Sequence, residues 1–260
     1  MLKKILLTGL CVLFSMNLSA SEPIYDEEIP LLWSSIITVS GGPSWATPGQ
    51  NQYIYPMSPV YINNFNPNLP PNYYLYFTHD SPTTILANGE IFFGLQRAIN
   101  PQMIGQLGLG VAGVSDAKVT GDVNLNGLLN VYTYDYKVNH ARVELKGKLI
   151  GSAFTPVQPY LSGSFGIAFN NAHDYRTLSI NQFLFPAPWF ASNTTYAFAY
   201  SVGAGVQKML NRNWQVGVGY EFADLGKSYL GGDGVNITKG PRLTHLYNNQ
   251  LLFSVSYLYS

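Results

Sequence analysis

Cysteine is nearly missing from this 260-residue chain: Cys11 is the only one, and it lies in the N-terminal leader segment. A product without that segment has no thiol, which excludes disulfides and cysteine chemistry. Charge is also scarce. Asp, Glu, Lys and Arg make up 11% of the residues, and 14 bases balance 14 acids. That balance argues against a nucleic-acid binder, which shows a basic excess. Long apolar runs are missing too. The stretch from Ile5 to Met16 falls short of the ~20 residues a membrane helix needs, and no later stretch is long and apolar enough.

What is present begins with Lys3 and Lys4, the apolar run, and then Ser19-Ala20. This is the layout of a secretory signal peptide over residues 1–20, with cleavage expected after Ala20. Residues 21–32 follow as an acidic lead-in (Asp26, Glu27, Glu28), read as periplasmic. The remaining 33–260 form one domain, which holds nearly all of the chain's 25 Gly and 19 Tyr. Its clearest stretch is Trp214 to Phe222. Trp214, Val216, Val218, Tyr220 and Phe222 alternate with Gln215, Gly217, Gly219 and Glu221. A period of two residues is a strand signal.

The same alternation recurs in Trp33–Val39, Ile85–Arg97, Met103–Gly113, Tyr132–Ile150, Val157–Phe169, Thr195–Lys208 and Asn249–Tyr259. Eight strands result, and their connections alternate long and short. The long ones are Ala46–Thr84, Ser115–Val131, Asn170–Asn193 and Asp224–Leu246. In Tyr132–Ile150 the upper apolar residues (Tyr132, Tyr134, Tyr136, Val138) fall opposite in phase to Val143, Leu145 and Leu149. A bulge near Asn139 is expected to absorb that slip. An even strand number, short turns at one end and long loops at the other describe an outer-membrane β-barrel. Closure is required because a sheet edge in lipid has no water to satisfy it. A soluble sandwich would have to bury Glu90, Arg142, Glu144, Lys146 and Glu221 mid-strand, or else expose the aromatic face opposite.

The segments VSGGPSW, ANGEIFFGLQR, GQLGLGVA, KVNHARVELKGK, VQPYLSGSFGIAFN, WQVGVGYEFADLGKS and NQLLFSVSYL carry a resemblance. The chain resembles small bacterial outer-membrane β-barrel proteins of the OmpA/OmpX-like superfamily, nearest a surface-antigen-like group of intracellular gammaproteobacteria. The resemblance covers the strands from about Val39 onward, and the loops carry little of it. It implies an eight-stranded antiparallel transmembrane up-and-down barrel with short periplasmic turns and four long extracellular loops. It also implies export through the general secretory pathway and insertion by the outer-membrane assembly machinery. One departure is visible: such chains usually finish on an aromatic, and this one ends Tyr257-Leu258-Tyr259-Ser260.

Fold does not fix activity, so the chemistry has to come from residues. His79-Asp80-Ser81 share one loop tip with nothing to orient them, and His140 reads as a histidine of the barrel mouth. His79, His173 and His245 lie in three different loops without ligand spacing. No enzyme activity, cofactor or metal is therefore expected. Two clusters stand out instead. Glu90, Arg142, Glu144 and Glu221 fall on inward faces at similar depth, with Lys146 below them. Arg142 is expected to bridge two or more of the glutamates, with Gly108, Gly110, Gly217 and Gly219 leaving room for its side chain. The alternative is separate solvation in a wet lumen. The second cluster, Phe183, Phe185, Trp189 and Phe190, is either an exposed patch for a host surface or envelope partner, or loop packing against outer-leaflet lipid. Expected partners are outer-membrane lipids and lipopolysaccharide. The expected role is structural or surface-interacting, with a narrow solute channel and a lipid-directed enzyme as alternatives. N-terminal sequencing of protein recovered from outer membranes should begin near Ser21; recovery only from the soluble periplasm would contradict the reading.

Overall fold

The computed structural model describes residues 33–55, 74–80, 84–125, 128–151, 157–180, 189–234 and 237–259. The expected signal peptide and lead-in lie outside the described residues. Among the described residues there are twelve strands: β1 (Ser34–Ala46), β2 (Gln52–Ile54), β3 (Leu75–Phe77), β4 (Thr84–Asn100), β5 (Met103–Leu125), β6 (Leu128–Gly151), β7 (Gln158–Ser179), β8 (Asn193–Met209), β9 (Trp214–Asp224), β10 (Ser228–Gly231), β11 (Lys239–Leu243) and β12 (Tyr247–Tyr259).

Eight of them close a ring in chain order. β1 pairs with β4, then β4–β5, β5–β6, β6–β7, β7–β8, β8–β9 and β9–β12 follow, and β12 returns to β1, all antiparallel. This is an eight-stranded up-and-down barrel. Its outward positions form a continuous apolar belt that includes Val39, Phe93, Leu109, Val143, Phe165, Phe198, Val218 and Phe253, none of them buried. The inward positions carry the polar and charged side chains. Apolar outside and polar inside is the transmembrane arrangement, and ring closure satisfies the backbone that lipid cannot.

Above the belt the environment reverses. β5, β6 and β7 continue well past it, so most of the residues read as the second loop are strand. The first part of the third loop is strand too. The bulge expected near Asn139 lies opposite it on β5 and does not break the phase of β6: Tyr132, Tyr134, Tyr136, Val138, His140, Arg142 and Glu144 all point inward with one parity along a continuous strand. The irregularities lie in the partner strands. β5 takes an extra residue between Val114 and Ala117, and the β6–β7 register shifts past Asp135, where Asp174 has φ +56°. The phase slip in the sequence is therefore a change of solvent. In the belt, apolar residues face out to lipid; above it they face in, because water is outside.

Those inward apolar residues build a second core. Tyr134, Tyr136, Tyr175, Phe77, Phe190, Val123, Leu225 and Leu246 belong to it. Two ribbons inside the expected first and fourth loops complete this crown. β2–β3 joins β5 through β3, and β10–β11 forms a separate pair. The ribbons are linked by side chains that mimic a strand. Gln52 donates to the Arg242 carbonyl and accepts from its amide at 3.1 and 3.0 Å, and Gln50 accepts from the Thr244 amide at 2.9 Å.

Val218 sits outward at the centre of β9, between Val206 and Phe253. Val218→Arg should cost about 2–4 kcal/mol, whereas Val218→Leu should be nearly neutral. Reversible urea unfolding in lipid vesicles checks this, and equal stability of the two variants would place Val218 away from the lipid midplane.

Candidate functional site

The belt encloses a lumen that is filled along its length. Near the short turns, Gln106 donates to Gln96 at 2.7 Å, Thr38 and Ser256 share a hydrogen bond of 2.8 Å, and Ile36, Phe92 and Leu258 form a small apolar layer with Met209. Above that comes the charge. The pairing of β4, β5 and β6 sets Glu90, Ala112 and Arg142 on one rung. Two residues down, Glu144 lies across from Gly110. Glu221 arrives from the opposite wall on β9.

These side chains meet. An Arg142 Nη donates to Glu221 Oε1 at 2.5 Å and lies 3.7 Å from Glu90, while Nε lies 2.9 Å from Glu144. The Nε contact is an ion pair without hydrogen-bond alignment. Lys146 Nζ donates to both oxygens of Glu90 at 2.7 Å and to Glu221 at 2.8 Å. Ser164 donates to Glu144 at 2.7 Å and Gln250 to Glu221 at 3.2 Å. Arg142 is only 2% exposed, so water does little to screen the set.

Three carboxylates and two cations leave one negative charge. Lys148 lies two residues down β6, with its ammonium 4.4 Å from the Tyr160 ring, and supplies the third positive charge. The six groups together are neutral. Beside them is a cavity of about 30 Å³ lined by Ser40, Lys146, Lys148, Tyr160 and Ser162 among others. That is room for a water or two and far below the ~300 Å³ of a ligand pocket.

Glycines make room, though for different side chains from those expected. A Cβ at Gly219 would fall 2.0 Å from the Tyr160 hydroxyl, and one at Gly205 would lie 2.6 Å from its ring. A Cβ at Gly110 would press on Glu144 at 3.2 Å. Gly108 faces the β4 backbone, and Gly217 faces Ser254 and the backbone of Val206. None of the four expected glycines opens space for Arg142. Tyr160, tucked against β8 and β9, was not singled out from the sequence. The inward Gly-x-Gly in β9 was the only trace of it.

The remaining candidates separate. Phe190 is 2% exposed and packs edge-on against Tyr175 at 4.9 Å and Phe77 at 6.1 Å. It is crown core and leaves the surface patch. Trp189 is 63% exposed, and Phe183 and Phe185 lie outside the described residues. His79 bonds Asn51, His173 lies 3.3 Å from Asp116, and His245 lies 2.9 Å from Asp224. Among the described residues, no three His, Cys, Asp or Glu are grouped to hold a metal. His140 is buried with Nε2 unpaired among the described residues. At the rim, where Lys137 and then His173 donate to it, the Asp174 carboxyl is held below the usual carboxylate range.

No family model and no curated protein matches the chain. Among solved structures it is similar to the outer membrane protein OprG from Pseudomonas aeruginosa, at 16% identity and TM-score 0.45, covering 87% of this chain and 96% of that one. It is also similar to the outer membrane protease OmpT from Escherichia coli, at 9% identity and TM-score 0.44, covering 87% and 97%. A third is Ail, the attachment invasion locus protein of Yersinia pestis, at 12% identity and TM-score 0.35, covering 86% and 99%. These are small outer-membrane barrels. At such identities the architecture of this chain rests on its own ring closure.

Removing Arg142 strands buried carboxylates, so Arg142→Ala should lower stability by about 3–5 kcal/mol. Ser254→Ala, at the cavity edge, should change it little. Urea midpoints of the folded barrel measure both, and an unaltered midpoint for Arg142→Ala would show that the charges are independently solvated.

Proposed function

We propose that this chain is a non-enzymatic integral protein of the bacterial outer membrane, whose barrel anchors a folded extracellular crown for structural or surface-interacting work. The observation that carries the reading is the filled lumen beneath an apolar-cored crown. A conduit needs a wet path from end to end. Here an apolar layer, a neutral ion-paired layer and a hydrophobic core succeed one another inside an eight-stranded wall, whose interior is just wide enough for side chains. The crown, in contrast, uses about ten further residues each from β5 and β7, beyond what a span of 9–11 residues requires. Chain of that length folded above the membrane is best explained by what it presents to the outside. Transport through a narrow path is the second reading, supported by the small cavity beside Lys148.

In planar bilayers the purified barrel should show no steady conductance at neutral pH, and Arg142→Ala should show brief small openings. Steady ion flow through the parent protein would favour the channel reading instead.

A further inference from the structure

We propose that the outer wall of the crown, centred on the tyrosines of β2–β3, docks the uncharged saccharide of an outer-leaflet glycolipid. The proposal rests on the outer-membrane reading above and names the partner of the crown. The β2–β3 ribbon has two distinct faces. Ile54, Leu75 and Phe77 point into the crown core. The opposite face carries Tyr53, Tyr55, Tyr74 and Tyr76. Tyr53 stacks on Tyr76 at 4.5 Å and meets Tyr74 edge-on at 5.5 Å, while Tyr55 lies 6.2 Å from Tyr74. Tyr53 and Tyr55 remain 57% and 66% exposed.

The pairing fixes which way this strip looks. Tyr76 lies opposite Asn124 of β5, which has the outward parity although it is itself buried, and Leu75 lies opposite Leu125 on the inward parity. The strip therefore continues the outer wall that lower down forms the lipid belt. From Val111 in the belt to Asn124 is roughly 40 Å of strand at ~3.3 Å per residue. At the ~40° tilt of such barrels that is about 30 Å of height. Phospholipid headgroups add only about 5–8 Å to each side of the hydrocarbon. The tyrosines thus stand too high to be an interfacial aromatic girdle, at the level where the sugars of a glycolipid run.

The chemistry of the wall suits a neutral saccharide. Tyrosine offers an apolar ring face for the CH side of a sugar and a hydroxyl for its edge. Directly below, the Thr78 hydroxyl donates to the Asp122 carbonyl and accepts from its amide at 3.2 Å, and the Asp80 backbone bridges to that of Thr120, so the Asp80 and Asp122 carboxylates take no part in these bonds. These hydroxyls and carboxylates are the groups that exchange hydrogen bonds with sugar hydroxyls. Lys118 is held by Asp135 at 3.6 Å, and Lys137 by Asp174 at 3.2 Å and Asp116 at 3.8 Å. With these two lysines engaged, and with Asp80 and Asp122 outnumbering the exposed Arg242 beside the ribbon, the wall favours uncharged sugar over an anionic headgroup. The simpler role for the tyrosines is to stabilise a two-stranded ribbon by cross-strand pairing, and the test separates the two.

The full chain, folded in detergent micelles, is titrated with lipopolysaccharide bearing its full polysaccharide and, separately, with lipid A alone. The wild type should bind the first at least tenfold more tightly. Tyr53→Ser/Tyr55→Ser should abolish that difference without changing binding of lipid A, and Tyr53→Phe/Tyr55→Phe should retain most of it. The heat-dependent gel shift of each variant reports an intact barrel. Equal binding of the two lipids by the wild type, or a serine pair that matches the wild type, would overturn the proposal. Should the serine pair fail to fold, free polysaccharide must displace the bound lipopolysaccharide from the wild type, and failure to do so is equally fatal. Preference for animal-type glycans over lipopolysaccharide would overturn the choice of partner. A protein absent from outer membranes fails at fractionation, whereas an outer-membrane protein indifferent to sugar fails only here.

Discussion

The contact between Arg142 and Glu221 crosses the lumen from one wall to the other, and the rest of the barrel interior is arranged around it. An ionised side chain buried at this depth is tolerated only when paired and hydrogen-bonded. Arg142 cannot shed its proton, so its neighbours must supply the opposite charge. Glu221, Glu144 and Glu90 do so, which leaves an excess that Lys146 and Lys148 cancel. Each addition is forced by the one before it. Ser164 and Gln250 then add hydrogen bonds to the carboxylate oxygens that face Arg142, Glu144 Oε2 and Glu221 Oε1.

That chain of requirements explains why the lumen was partly readable from residues alone. Once the strand phase was known, parity put Glu90, Arg142, Glu144, Lys146 and Glu221 on inward faces, and counting from the turns put them at similar depth. The partners of the glycines were not readable. Space on β8 and β9 is filled by Tyr160, which reaches across from β7. A strand sequence gives direction and depth, but not how far a long side chain leans along the barrel axis. Lys148 shares the inward parity of Arg142 and Lys146, but its role depends on the charge left over by the others.

The crown was legible only in its contradiction. The tyrosines at 132, 134 and 136 share the parity of Arg142, yet they looked out of phase because apolar had been equated with outward. That equation holds only where lipid is outside. Past the belt, the same parity with reversed polarity means that the wall continues into water around an apolar core. Hydropathy alternation fixes faces relative to each other, and the surrounding medium fixes which face is in. The real irregularities, at Ser115–Asp116 on β5 and Asp174–Tyr175 on β7, lie near the level where the medium changes.

Separation of these two environments also divides the work. The lumen layers hold the barrel shut and carry its internal charge balance; the crown depends on the barrel only as a base. Its ribbons are fastened to one another by Gln50 and Gln52, whose amides stand in for a strand edge that would otherwise be open to other chains. Phe190 shows the same economy: a residue that reads from the sequence as a sticky surface aromatic is spent on the crown core against Tyr175. Trp189 and the tyrosines of β2–β3 remain outside. A surface that has closed its own edges and buried its spare aromatics exposes the remaining ones for contact, and their height above the belt determines which molecules they meet.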